Sequence, residues 1–378
     1  MLRQQRDLDD ALDLERADPR LHDVLRLGAY QLRHLTKVPA HAAVSTAVEL
    51  ARQTVGEAST GYVNQSLRKL SAVGHRLSAK TASHPDWLVA RWTSRFGRED
   101  TDRLVAWNDT KPELILQAAR WDQARLLRRF GEAGIEASAA PFSAGIRLHP
   151  IADSRHPTAK DLPGYSEGAF IVQDPAHALV ARYASIRPGE FVYDACAAPG
   201  GKAVALEARG ARVLAGDARH DRVGRLAGTT RRAGVAIRTV AANLEAAPLR
   251  PGSADAVLVD APCSATGTMR RHPDARWRLK PSVFARMAER QQRLLDRAAP
   301  LVRPGGLLVY ATCSLEPEEN QDVVEQFLKR HPEFLRAPQS GAVPHELLTA
   351  AGDFQSLPQR HGVDGAYAAR LMRREGVR

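Results

Sequence analysis

Two short runs in the sequence pair a thiol with small polar residues. DAPCSATGT (260–268) and YATCSLEPEEN (310–320) each follow an apolar stretch, and each carries one cysteine, Cys263 and Cys313. A single buried cysteine usually serves as a small hydrophobe. Two of them in equivalent settings shift the balance toward chemistry. One reaction that needs such a thiol is methylation of a pyrimidine at carbon 5, which is a poor nucleophile. A thiolate adding at carbon 6 makes an enamine whose carbon 5 can attack an electrophilic methyl group. Asp260 stands where a carboxyl could hydrogen-bond the ring's N3 and stabilise the adduct. A base must then take the proton from carbon 5 so that the cysteine can leave, and a second thiol in reach could assist that release.

A third run has the makings of a cofactor loop. DACAAPGGK (194–202) directly follows the strand-like EFVYDA and opens a helix, so Cys196, Ala197, Ala198, Pro199, Gly200, Gly201 and Lys202 form the turn. Small residues and paired glycines let backbone amides approach a ligand closely. Asp217 ends the next strand-like run, ARVLAGD, where an acid commonly bonds the two hydroxyls of a nucleoside ribose. The loop lacks the dinucleotide fingerprint, so S-adenosylmethionine is expected rather than NAD. The bland alternative is a tight strand-to-helix turn with Asp217 as a helix cap.

Such residues need a scaffold that brings them to one edge. After about residue 165 the chain alternates strand and helix: EFVYDA, ARVLAGD, ADAVLVDAP and GGLLVYATCS are strand-like, and SVFARMAERQQRLLDRAAPLV (282–302) is the clearest helix. The pattern predicts an α/β, Rossmann-like domain, a mostly parallel sheet with helices on both faces and its ligand beyond the carboxyl ends of the strands. Residues 1–75 read as all-helical, with stripes at Leu21, Val24, Leu25, Gly28, Leu32 and Leu35, then Val44, Ala47, Val48, Ala51 and Val55, then Val63, Leu67 and Leu70. Residues 76–100 read as a polar connector with a short helix around Trp87 and Trp92. From about 101 to 150 a small α+β unit is expected, with strands at 113–120 and 145–150 and a helix at 121–134. The domains are therefore 1–75, 76–164 and 165–378.

Composition bounds the rest. The chain has 378 residues, 44% hydrophobic and 26% charged, which suits a folded protein of two or three domains and excludes a disordered chain. No stretch approaches the ~20 apolar residues of a membrane span. The start, MLRQQRDLDDALDLER, has no apolar signal core, so a cytoplasmic protein with no membrane partner is expected. Three cysteines are too few for a disulfide framework and too scattered for zinc; no metal is expected. Lys and Arg number 54 against 43 Asp and Glu, a charge of +11. That surplus, mainly Arg, favours an anionic partner such as nucleic acid, or reflects an Arg-rich solvated surface.

Taken together, DACAAPGGK, DAPCSATGT, RRHPDARW (270–277) and YATCSLEPEEN closely resemble the motifs of the RsmB (Sun/Fmu-type) 16S rRNA cytosine-C5 methyltransferase family, over about 165–378. GAFIVQD (168–174) fits as well. LRLGAYQLRHLTKVPAHAAVSTAVELA and YVNQSLRKL are similar to the later helices of the NusB-like RNA-binding domain of these enzymes, and the α+β unit resembles their small RNA-recognition subdomain. The resemblance implies a monomeric, S-adenosylmethionine-dependent RNA methyltransferase acting on rRNA. It makes Cys313 the nucleophile, Cys263 the aid to release and Asp260 the contact to the target base. Cys196 through Lys202 would line the methionine side of the cofactor, Asp217 would hold its ribose, and Lys202 would help orient the carboxylate of Asp260. Arg270, Arg271 and His272 would lie near the RNA, or form ion pairs at a loop. Three departures from the family stand out. Asn243 replaces an acid that meets the adenine and can hydrogen-bond it without charge. The NusB-like part is expected to lack its first helices. The aromatic pair near the end is reduced to Ala366-Tyr367. The competing readings are the same chemistry on tRNA or another RNA, and a non-catalytic RNA-binding assembly factor.

Overall fold

The computed structural model describes residues 1–73, 83–149, 158–337 and 341–375. Part of the expected connector (76–82), the end of the expected strand at Pro150, and residues 151–157 of the expected subdomain lie outside the described residues. Two compact units are present: Met1–Thr110 with His272–Arg278, and Lys111–Arg271 with Leu279–Arg378. No helix among the described residues is long and apolar enough to cross a bilayer.

The first unit is helical throughout. Helices Gln5–Leu12, His22–His34, Ala40–Thr54 and Thr60–Val73 pack around a core that includes Leu8, Leu25, Val63 and Leu67. The stripes explain the packing, because positions three and four apart share a helix face. Leu35 is the exception. The helix ends at His34, and Leu35 lies beyond it, 41% exposed. Trp92 is buried in the helix Asp86–Phe96, and a further helix, Arg98–Asp109, follows. That second helix was not expected, because REDTDRLVAWND carries too few apolar residues to show a stripe.

The second unit holds two sheets. The smaller has β1 (Ile115–Ala118), β2 (Ala137–Ala139), β3 (Ile146–Leu148) and β4 (Phe170–Val172) in the order β2-β3-β1-β4, all antiparallel. The helix Gln123–Glu132 buries Leu126 and Phe130 against it. GAFIVQD, read from sequence with the larger domain, forms β4 and closes this smaller sheet, since its backbone pairs with β1.

The larger sheet contains β5 (Phe191–Asp194), β6 (Arg212–Asp217), β7 (Arg238–Ala241), β8 (Ala254–Asp260), β9 (Val302–Thr312), β10 (Phe334–Arg336), β11 (Phe354–Ser356) and β12 (Ala366–Arg373). Its order is β10-β12-β9-β8-β5-β6-β7, with β11 also paired to β12. Strands β5 to β9 run parallel to their neighbours, whereas β12 runs antiparallel to β9. Successive side chains alternate faces. Tyr193 and Val257 pack with Leu295 and Phe327 on one side, while Val192, Ala256 and Leu258 pack with Leu206 and Leu226 on the other. The architecture is therefore the expected α/β, mostly parallel sheet preceded by a helical unit. The chain runs outward from β5 to β6 and β7, then returns to β8 on the other side of β5. This reversal is the topological switch at which open α/β sheets bind their ligands.

Candidate active site

Both expected thiols arrive at that switch edge. Cys263 follows the end of β8 and Cys313 the end of β9, and register pairs Asp260 with Ala311 just before them. The two sulfurs stand 3.3 Å apart, and both side chains are partly exposed. They line a cavity of about 380 Å³ together with Asp260, Cys196, Asp217 and Asn243, a volume suited to a small ligand.

The sulfurs are chemically unequal. The Cys313 thiol is held below its ordinary value, first by the hydrogen bond from Cys263, while burial opposes the shift and Lys202 assists it. Cys263 is pushed well above its ordinary value, first by that same hydrogen bond and then by burial. The two shifts run in opposite directions, so Cys313 is the sulfur of the pair more readily deprotonated. Thr268 Oγ1 lies 4.0 Å from the Cys313 sulfur. The Cys313 carbonyl accepts from Gly267 N at 3.0 Å. A side chain at Gly267 would sit 2.8 Å from that oxygen and 2.6 Å from the Gly365 carbonyl, so this close approach requires glycine.

Asp260 is steadied from the neighbouring loop. Lys202 Nζ donates to its Oδ2 at 2.7 Å and lies 3.0 Å from His177 Nδ1. His177 is kept well below its usual pKa, first by the Lys202 charge and then by burial. Its neutral ring can accept from the ammonium. The motif reading passed over His177, and a lone histidine in PAHALVARYA gives no signal for such a role.

The cofactor loop splits between two walls. Cys196 and Ala198 face the first cavity, while Ala197, Pro199, Gly201 and Lys202 line a neighbouring one of about 460 Å³, which shares Ala198, Asp260 and His177. Gly200, at φ +110°, makes the turn between them; a Cβ there would stand 2.9 Å from Leu226. Burial, and then the charge of Asp194, push Cys196 up to about 12. Asp194 was quoted in the motif but given no role. It is fully buried, driven up to about 8 by burial and then by Asp260, with the Lys202 charge and the Cys196 main chain opposing, and neither oxygen meets a side-chain donor among the described residues.

Asp217 tests whether a nucleoside cofactor fits. Its Oδ1 accepts from Arg219 N at 3.0 Å, a local turn ahead of the helix His220–Ala233; the cap position itself is Arg219, with no side-chain cap bond, so Asp217 is not the helix cap weighed from sequence. Its Oδ2 is buried with no hydrogen bond among the described residues, and the Arg222 guanidinium lies 3.5 Å away. A ribose hydroxyl would supply the missing donor, so the residues fit the group. Asn243 Oδ1 lies 3.4 Å from Glu245 N, capping a short turn at the cavity wall.

The basic triplet divides. Arg270 is buried beside Asp364 at 3.8 Å. Arg271 donates to Asp174 at 2.6 Å and closely to Asp364, while lining the second cavity. His272 is exposed and groups with the helical unit. In place of the weakened aromatic pair, Tyr367 is buried and donates to Asp353 at 2.6 Å.

Comparison with known proteins places these features. Residues 182–372 match the family model described as 16S rRNA methyltransferase RsmB/F, residues 2–72 the NusB family, and residues 84–153 the ferredoxin-like domain of RsmF/B-like methyltransferases. The chain is 36% identical to the ribosomal RNA small subunit methyltransferase B of Pseudomonas syringae pv. tomato, across 94% of this chain and 82% of that one. It is 34% identical to the protein of the same name from Pasteurella multocida, across 93% and 80%. The crystal structure of PH0851 matches with a TM-score of 0.82 and 26% identity, covering 98% of this chain and 87% of the other. NSun6 from Pyrococcus horikoshii, solved with SFG, shares the fold at a TM-score of 0.66 and 18% identity, over 77% of this chain and 99% of that one.

Proposed function

The chain belongs to the 16S rRNA methyltransferase RsmB/F family, and from that premise we propose that it methylates carbon 5 of a cytosine in 16S rRNA. It does so through a transient bond between Cys313 and carbon 6 of the ring. The observation that carries this reading is the pair of sulfurs 3.3 Å apart at adjacent strand ends, on the wall of a cavity that also holds Asp260 and Asp217. An enzyme that only bound and alkylated an exposed nitrogen or oxygen would have no use for them.

The steps follow from the geometry. The Cys313 thiolate, stabilised by the Cys263 S–H, adds to carbon 6, and the electron pair of the C5–C6 bond moves into the ring. Asp260, held by Lys202, meets the N3 edge and favours that adduct. S-adenosylmethionine, when bound, supplies the electrophilic methyl group that carbon 5 takes up. The residues proposed to hold it are Cys196 through Lys202 along the methionine side, Asp217 at the ribose and Asn243 at the adenine. After the carbon 5 proton passes to water, the S–C6 bond breaks and its electron pair returns to Cys313. Donation from Cys263 stabilises that departing thiolate, which is how a second thiol aids release. Free thiols of this kind persist in a reducing cytosol, the compartment proposed here.

The target base must leave its stack to reach the sulfur, at a cost of a few kcal/mol in a paired helix; a loop or junction cytosine is the cheaper substrate. Arg271, which lines the second cavity, is the member of the triplet proposed to meet RNA. Arg270 would act through its pairing with Asp364.

The test is trapping on RNA that carries 5-fluorocytosine, where fluorine blocks loss of the carbon 5 substituent and the adduct persists. Wild-type protein should give an RNA-linked band, and Cys313→Ala should give none. On ordinary RNA, Cys263→Ala should accumulate the linked form. Trapping by Cys313→Ala with none by Cys263→Ala would reverse the two roles.

A further inference from the structure

The residue directly after each thiol is bound to one buried carboxylate. Glu319 Oε2 accepts from the Ser264 main-chain N–H at 2.8 Å and from Gln291 Nε2 at 3.1 Å. Its Oε1 accepts from the Ser314 hydroxyl at 2.7 Å and, closely, from the Ser264 hydroxyl. Ser264 follows Cys263 and Ser314 follows Cys313 in the chain, so a single side chain ties both thiol loops together. The carboxylate is itself fixed. Tyr310 Oη donates to the Glu319 carbonyl at 2.5 Å, and Asn320 Nδ2 donates to the Ser314 carbonyl at 2.9 Å. Gln291, on the helix Ser282–Ala298, also donates to the Pro262 carbonyl at 3.0 Å, just ahead of Cys263.

Glu319 is fully buried. A buried carboxylate is costly even when its hydrogen bonds are satisfied, and an apolar plug of similar volume often closes two loops at least as well. The cost points to a task that needs charge and several acceptor sites in one place. We propose that Glu319 is a positioning residue for the two-thiol site, setting the separation of the sulfurs and holding an anion on the Cys263 side of the pair. This rests on the thiol reading of the proposed function. The charges around the pair are mixed: Glu319 raises Cys263, while at Cys313 Asp260 raises and Lys202 lowers. Cys263 is raised first by its hydrogen bond to Cys313, then by burial and by the Cys313 charge, and then by Glu319. Asp260 and Lys202 face Cys313, while Tyr310, from β9, faces both Cys263 and Glu319. Glu319 is thus an anion on the Cys263 side, whereas Cys313 meets both the carboxylate of Asp260 and the ammonium of Lys202.

The experiment measures alkylation of each cysteine by iodoacetamide against pH, read by mass spectrometry on the full chain without RNA, beside adduct formation on 5-fluorocytosine RNA. In Glu319→Gln the Cys263 midpoint should fall by about one pH unit, roughly a tenfold gain in its thiolate fraction at a given pH. Adduct formation should slow about tenfold or more with the RNA KM unchanged. Ser314→Ala keeps the charge and removes one tether; it should slow adduct formation and leave the Cys263 midpoint in place. Alkylation profiles and adduct rates in Glu319→Gln that match the wild type would overturn the inference. If Glu319→Gln does not fold, Ser314→Ala and Gln291→Leu decide it: a reduced adduct rate at constant KM supports the tether, and unchanged rates refute it. If the wild type itself forms no adduct, the cytosine reading fails, and the alkylation profiles still decide the role of Glu319.

Discussion

A thiol in contact with a second thiol titrates differently from one in water, and the sign here can be worked out. Cys313 is lowered mainly because Cys263 donates to it, and burial and Asp260 push the other way. Adduct formation should therefore rise with pH along a limb that lies below that of an ordinary thiol. In Cys263→Ala the donor is gone while burial and the Asp260 charge remain, so the limb should move to higher pH. Single-turnover adduct rates on 5-fluorocytosine RNA across pH give the comparison; a limb that stays put or moves down would contradict the assignment of donor and acceptor. Cys263, Cys313, Asp260 and Asp217 were legible because each ends an apolar run, where side chains must face the ligand edge. Glu319 was not. PEEN reads as a solvated helix start, and only the folded chain shows its second acid turned inward onto Ser264 and Ser314. Asp194 was hidden for a related reason, since an acid at a strand end gives no sequence sign of being buried without a partner.

Among the elements, the parallel strands were the readable part, because their apolar runs and intervening helices leave few topologies open. The segment around Arg276 was not. RRHPDARWR is rich in Arg, and nothing in it marks Arg276, which is fully buried in the short helix Ala275–Arg278. Its guanidinium donates to Asp109 at 2.7 Å, the Ser83 carbonyl at 3.1 Å and the Asn108 carbonyl at 2.9 Å. All of these groups belong to the helical unit. Removing one partner from such a set leaves buried acceptors unpaired, which costs on the order of 2–3 kcal/mol. Arg276→Ala should accordingly lower the midpoint of urea unfolding, whereas Arg278→Ala, on an exposed side chain paired with Asp274, should leave it near wild type. Equal midpoints for the two variants would show that the buried arginine holds little of this unit together. The helix Arg98–Asp109 escaped sequence reading through its sparse apolar pattern, and β4 was grouped with the wrong sheet because strand partners lie outside a local window.

For the molecule as a whole, the class was legible and the partition only roughly so. A charge of +11 pointed to a polyanion, and the order of helical stripes followed by strand–helix alternation separated a helical unit from an α/β one. The two compact units cut the chain differently, because residues 272–278 group with the N-terminal unit although the sequence on either side belongs to the other. An excursion of seven residues leaves no mark in composition. The function belongs to this whole-molecule scale, since the family supplies an rRNA methyltransferase and the proposed reaction rests on the site. The most direct measurement is to incubate the full chain with methyl-labelled S-adenosylmethionine and unmodified 16S rRNA, digest the RNA to nucleosides, and identify the one that carries the label. The account predicts label in 5-methylcytidine, lost in Cys313→Ala. Label in a ribose-methylated nucleoside, or in any base other than cytosine, would contradict it.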